Sequence, residues 1–164
     1  MTYNIGVDSG GTHVVAMAWD MQGRVVAQGE AGPGNILMDQ ALTIQNITSA
    51  IMTIFDQVAQ ADCQQILIGI AGIETTNNQA ELATLFKQRF SVNVAVISDA
   101  YLALVNGLEG EDGTLIISGT GSIVYGQQNK EQFRVGGWGN LLGDEGSAYS
   151  ISREALQVSL QQLD

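Results

Sequence analysis

A chain of 164 residues, 45% hydrophobic and 14% charged, can bury a sizeable core as one domain or two small ones. Six basic residues against seventeen acidic ones leave a net charge of -11, which repels phosphate backbones and argues against nucleic acid as a partner. Any phosphate site must therefore be local, built from backbone N–H groups and a metal ion. Cys63 is the only cysteine, so neither an intrachain disulfide nor a cysteine-only metal cage can form, and a reducing cytoplasm is the expected setting. No uninterrupted apolar run approaches the roughly 18 residues that span a bilayer, so no membrane partner is expected.

Tyr3 to Val7 is a short mixed apolar run that ends in Asp8-Ser9-Gly10-Gly11-Thr12 and resumes at Val14 to Trp19, the pattern of a β-hairpin. Arg24 to Gly29 predicts a third antiparallel strand, with Gly23 in the tight connection. Ala31-Gly32-Pro33-Gly34-Asn35 reads as a loop, and Asp39 as the N-cap of a helix reaching about Gln60. Its stripe is Leu42, Ile44, Ile47, Ile51, Ile54, Phe55 and Val58, at spacings of three and four.

Gln65 to Gly72 is a continuous apolar run closed by glycines, which predicts a parallel strand buried on both faces. A helix over Asn78 to Phe90, a strand over Val92 to Ile97 and a helix over Ala100 to Leu108 complete the order βββαβαβα. Glu109-Gly110-Glu111-Asp112-Gly113 is acidic and glycine-rich, so the predicted domains are residues 1–110 and 111–164. Beyond it, Thr114 to Ser118 and Ser122 to Gly126 form a second hairpin about Gly119-Thr120-Gly121, with a third strand at Phe133 to Val135. The opening pattern is thus repeated. The repeat then stops, with only a helix over Asp144 to Leu163 to follow.

Taken alone, Asp8-Ser9-Gly10-Gly11-Thr12 suits either a phosphate cradle or a plain hairpin, and no Gly-Lys-Ser/Thr follows to make it a Walker A loop. Ser118-Gly119-Thr120-Gly121-Ser122 presents hydroxyls around glycines in a way that suits polyphosphate or sugar oxygens. The recurrence of such a turn at the start of both halves favours the phosphate reading. Asp99 ends an apolar strand where open α/β sheets place ligand groups, so it is either a base that takes a hydroxyl proton or the cap of the next helix. Gly136-Gly137-Trp138-Gly139-Asn140 and Gly143 to Ala148 are too glycine-dense for a purely structural element and read as a binding loop. In that loop Asp144 either caps the following helix or reaches a ligand. His13 and Cys63 are read as structural, and Met17, Met38 and Met52 as core fillers.

Assembled, these motifs resemble the N-acetylglucosamine kinase group within the benzoyl-CoA-reductase-activator ATPases, over nearly the whole chain. Gly6 to Thr12 is similar to that family's first phosphate motif, Ile117 to Ser122 to its second, and Gly136 to Gly139 with Gly143 to Tyr149 to its sugar-pocket signature. The resemblance implies an α/β fold: a ribonuclease-H-like, actin-like ATPase lobe followed by a truncated second lobe of the same kind. It implies ATP and Mg²⁺ as cofactors and phosphorylation of an amino sugar, N-acetylglucosamine to its 6-phosphate.

By the same resemblance, Asp8 serves magnesium through water, and Gly10, Gly11, Thr12, Gly119, Thr120 and Gly121 hold the ATP phosphates. Asp99 is then the catalytic base, and Asn35, Ser122, Gly137, Trp138, Asp144 and Ala148 line the sugar pocket. Family kinases are longer, and their second half supplies the adenosine site. The alternatives are a non-catalytic sugar-binding or regulatory module, or an ATPase acting on a protein partner. A second-lobe face left open predicts homodimer formation.

Overall fold

The computed structural model describes residues 1–163. Two compact units divide it, Met1–Leu102 and Ala103–Asp164, with the division inside a helix rather than at Glu109 to Gly113.

The first unit is built on strands β1 (Tyr3–Ser9), β2 (Val14–Asp20), β3 (Val25–Ala31), β4 (Cys63–Ile70) and β5 (Asn93–Ser98). They form one sheet in the order β3-β2-β1-β4-β5. β1, β2 and β3 are antiparallel neighbours, while β4 runs parallel to β1 and β5 parallel to β4. This is the ribonuclease-H-like arrangement that the element order predicts. Its C-terminal edge collects the ends of β1, β4 and β5, where such sheets place ligands.

Helix α1 (Gln40–Phe55) starts at Asp39, whose carboxylate accepts the Leu42 N–H at 2.9 Å. It buries Thr43, Ile47, Ala50, Ile51 and Ile54, a stripe of helical period against β2 and β3. Each such isoleucine contributes about 1.5–3 kcal/mol by leaving water. The helix ends at Phe55 rather than near Gln60, and Leu42 on the expected stripe is exposed. α1 lies so close to β3 that a Cβ on Gly29 would overlap the Ala50 carbonyl. Two further helices, α2 (Ile73–Thr76) and α3 (Gln79–Phe90), follow β4, and α3 covers β5 through Leu82, Phe86 and Phe90.

Cys63 is buried next to Tyr3, and burial pushes its thiol up to about 11, so it is inert packing. Met38 is 85% exposed and Met52 is also exposed, so neither fills the core; both sit on the solvent side of the loop and helix that carry them.

Asp20 closes the β2–β3 turn. Its carboxylate accepts the Gln22 and Arg24 N–H groups and pairs with the Arg24 guanidinium at 2.7 Å. The Arg24 backbone bond, ahead of the other contacts, holds its carboxyl below the usual carboxylate range. A depressed folded-state pKa adds stability above the unfolded value that is lost as pH falls through the folded one. The urea midpoint of Asp20→Asn should therefore be lower than that of the parent at neutral pH, and the gap should close on acidification.

Helix α4 (Asp99–Gly107) leads into strands β6 (Gly113–Ser118), β7 (Ser122–Gln128) and β8 (Glu131–Gly136). These make a three-stranded antiparallel meander, β6-β7-β8, equivalent to the first three strands of the first unit. Helix α5 (Ala148–Gln161) comes last, capped by Ser147 and starting four residues later than Asp144. In this unit Ile116, Val135, Ile151 and Val158 remain exposed, and no counterparts of the parallel strands are present among the described residues. No helix among the described residues is long and apolar enough to cross a membrane.

Candidate functional site

Ser9 ends β1 with its side chain buried, and its hydroxyl donates to the Gly34 carbonyl at 2.8 Å. The Gly34 N–H in turn donates to the Gly10 carbonyl at 2.8 Å. These two bonds fasten the Gly32-Pro33-Gly34-Asn35 loop to the glycine turn. Gly34 is needed there because a Cβ would overlap the Ser9 hydroxyl and crowd Val14.

The turn itself is closed by Gly10 N–H donating to the His13 carbonyl at 2.9 Å. The N–H groups of Gly11, Thr12 and His13 have no acceptor among the described residues, and all three residues are exposed. Three successive unspent donors are what an anion cradle requires. Asp8, exposed one residue before Ser9, supplies a carboxylate beside it.

Asn35 bridges to Ala71 just beyond β4, and Ala71 N–H donates to the Ser9 carbonyl. The Asn35 carboxamide oxygen accepts the Leu37 N–H at 2.9 Å, and its NH₂ group has no acceptor among the described residues. The first glycine turn, the Asn35 amide and the end of β4 are thus one hydrogen-bonded assembly.

Asp99 follows β5 at the same edge of the sheet. It is half-buried, and burial raises its carboxyl above the ordinary range against the pull of the Ala100 N–H, with the negative charges of Asp8 and Glu74 adding to the rise. The capping role that the sequence left open for Asp99 belongs to Ser98, whose hydroxyl accepts the Tyr101 N–H at 3.1 Å. Glu74, at the start of α2, was not among the sequence candidates; the only signal for it is an acid two residues after Gly72, which caps α2.

In the second unit the turn at Gly119 is closed by its N–H donating to the Gly121 carbonyl at 2.9 Å. The N–H groups of Thr120 and Gly121 have no acceptor among the described residues. The Ser122 and Ser118 hydroxyls, expected to face ligand oxygens, instead donate to the Glu145 and Gly146 carbonyls at 2.7 and 3.1 Å. They fasten the Asp144-Glu145-Gly146 loop to the turn. The α5 terminus joins it too, with the Ala148 N–H donating to the Gly119 carbonyl at 2.8 Å.

Asp144 does not cap α5. Ser147 does, its buried side chain accepting the Ser150 N–H at 3.1 Å. Ser147→Ala should cost about 1 kcal/mol, measurable by urea unfolding, and should loosen Gly119 with the helix. Asp144 lies at φ 62° with its carboxylate against Gly121, near the second turn's free N–H groups. Gly137 packs on Ile123, and Trp138 is 69% exposed with the Arg134 guanidinium 4.8 Å above its ring. A cavity of about 350 Å³ opens on the meander, lined by Ile116, Ile117, Val124, Val135 and Glu145 among others, and Trp138 and Asp144 do not line it.

Asp8 is an exposed carboxylate at the turn, a donor of the kind Mg²⁺ takes when substrate phosphates supply its other ligands.

The N-acetylmuramic acid/N-acetylglucosamine kinase of Clostridium acetobutylicum is 34% identical over 100% of this chain and 55% of its own length. The glucosamine kinase of Vibrio cholerae is 26% identical over 98% of this chain and 55% of its own. A solved structure from Chromobacterium violaceum, provisionally named an N-acetylglucosamine kinase, superposes with a TM-score of 0.77 at 26% identity, covering 100% of this chain and 59% of that one. The chain thus spans about half the length of the curated relatives it matches. The family model of the BadF/BadG/BcrA/BcrD ATPases matches residues 5–164, glycine turns and Asp99 included, and the chain belongs to that family.

Proposed function

We propose that this chain forms the N-terminal part of a kinase that transfers the γ-phosphoryl group of ATP to an amino sugar, N-acetylglucosamine being phosphorylated at its 6-hydroxyl. The observation that carries the reading is Asp99: a half-buried carboxylate of raised proton affinity, at the edge of the sheet where β1 delivers Asp8 and the glycine turn. A carboxylate so placed takes a proton from a hydroxyl as it attacks phosphorus, and its raised pKa makes it a stronger base. The free N–H groups of Gly11 and Thr12 and those of Thr120 and Gly121 hold phosphoryl oxygens, each turn within its own unit. Asp8 would hold Mg²⁺ through water, and with ATP bound the ion would supply neutralisation of the phosphate charge.

In this reading the Asn35 amide donates to a sugar oxygen. Within the second unit Ser122 braces the loop through the Glu145 carbonyl, and Gly137, Trp138, Asp144 and Ala148 are assigned to sugar contact. A cytoplasmic setting matches the dependence on ATP. The choice of acetylated sugar follows the Clostridium relative, and the Vibrio relative, a glucosamine kinase, supplies the competing substrate.

Sugar-dependent release of ADP from Mg·ATP, together with calorimetric titration of N-acetylglucosamine, glucosamine and ATP separately, tests it. Turnover that requires N-acetylglucosamine is the expected result. Sugar binding without ATP binding would select the non-catalytic module, and sugar-independent hydrolysis an ATPase acting on another partner.

A further inference from the structure

We infer that His13 belongs to the phosphate site, as the residue that orients the Thr12 hydroxyl and supplies the positive charge that the glycine turn otherwise lacks. The inference rests on the reading of the Asp8 to Thr12 turn as a nucleotide-phosphate cradle and extends it to a residue that sequence alone marks as structural.

His13 is exposed and fills no part of the core. Its Nδ1 lies 2.9 Å from the Thr12 Oγ1, and its own N–H is one of the turn's three unspent donors. The fixed cations of the first unit stand elsewhere. Arg24 is paired to Asp20 in the β2–β3 turn, at the other end of β2. Lys87 and Arg89 occupy the last turn of α3, which leads into the N-terminal end of β5, and the N-terminal amine is paired with Asp62 before β4. Within the first unit, a phosphate at this turn therefore meets one side chain able to become positive, His13.

Whether Nδ1 carries a proton, as in the cation and in one neutral tautomer, decides what Thr12 can do. With Nδ1 protonated, the ring donates to Oγ1, and the hydroxyl proton is directed outward to a phosphoryl oxygen. With Nδ1 bare, the hydroxyl spends its proton on the ring and presents only lone pairs. The titratable side chains on the two strands flanking β2 are acidic here. Asp8 on β1 and Glu30 on β3 flank Val15 in the pairing row beside His13, while the Gly32 to Asn35 loop carries no titratable side chain.

The test uses the fact that His13 is the only histidine, so its imidazole proton resonances in the full chain are unambiguous. These are followed against pH with and without Mg·ATP, and separately with tripolyphosphate. Binding should raise the His13 midpoint by about one unit and, by linkage, make binding to the protonated form about tenfold tighter. His13→Gln should abolish the protein's share of that pH dependence, leaving the ligand's own protonation, and His13→Lys should keep tight binding on the alkaline side. Thr12 and Gly11 amide shifts on adding Mg·ATP with an unmoved His13 midpoint would overturn the inference while leaving the cradle intact. Absence of both responses would overturn the inference and the cradle together.

Discussion

Asp99→Asn should lower kcat by about 10²–10⁴-fold, the usual contribution of a positioned general base, while changing sugar affinity by no more than a few fold. Asparagine keeps the shape and can still accept a hydrogen bond, so binding survives; it cannot take the proton. The same substitution should stabilise the fold. Burial, ahead of the charges of Asp8 and Glu74, disfavours the ionised side chain and raises its folded-state pKa. A raised carboxylate pKa means that the native state holds more protons than the unfolded one, so stability falls as pH rises through the shifted pKa. At neutral pH the variant should therefore unfold at higher urea than the parent, and the difference should shrink on acidification through the raised pKa and vanish below the carboxylate's unfolded-state pKa. Near-normal turnover in the variant would remove Asp99 from the chemistry, and unchanged stability would remove the burial argument.

Gly34→Ala is expected to damage both fold and site. Exchanging glycine for alanine in an unstrained position stabilises by about 0.4–1 kcal/mol through the unfolded chain. Here the new methyl would overlap the buried Ser9 hydroxyl and press on Val14, neither of which has room to move. Overpacking of this kind costs about 1–3 kcal/mol, so the clash outweighs the entropy gain. Relief requires breaking the bond from Ser9 to the Gly34 carbonyl, which releases Asn35 from the glycine turn. Urea unfolding should show the loss of stability, and calorimetry a loss of sugar affinity larger than that of ATP. Equal losses for both ligands would mean that the loop and the turn act as a single phosphate element, with Asn35 not contacting sugar.

The strands and helices were readable because their signals are local: apolar period two or nearly four, and glycines at the breaks. The boundaries drifted where a neighbouring polar residue decided the end. α5 is capped by Ser147 because that hydroxyl is positioned to accept from Ser150, and Asp144, equally suitable by residue type, sits in a left-handed turn beside Gly121. Ser98 rather than Asp99 caps α4 for the same reason, and that leaves Asp99 available for chemistry.

By itself the sequence determined the two glycine turns, the residue types that surround them and the order of strands that carries each, since these depend on backbone freedom and hydrophobic period. Only the tertiary structure decided which hydroxyls brace the protein. Ser118 and Ser122 are committed to carbonyls more than twenty residues away, and Ser9 to one in the Asn35 loop. A hydroxyl rotates to whichever acceptor the fold brings within reach, and that acceptor is set by contacts between segments that no local pattern records.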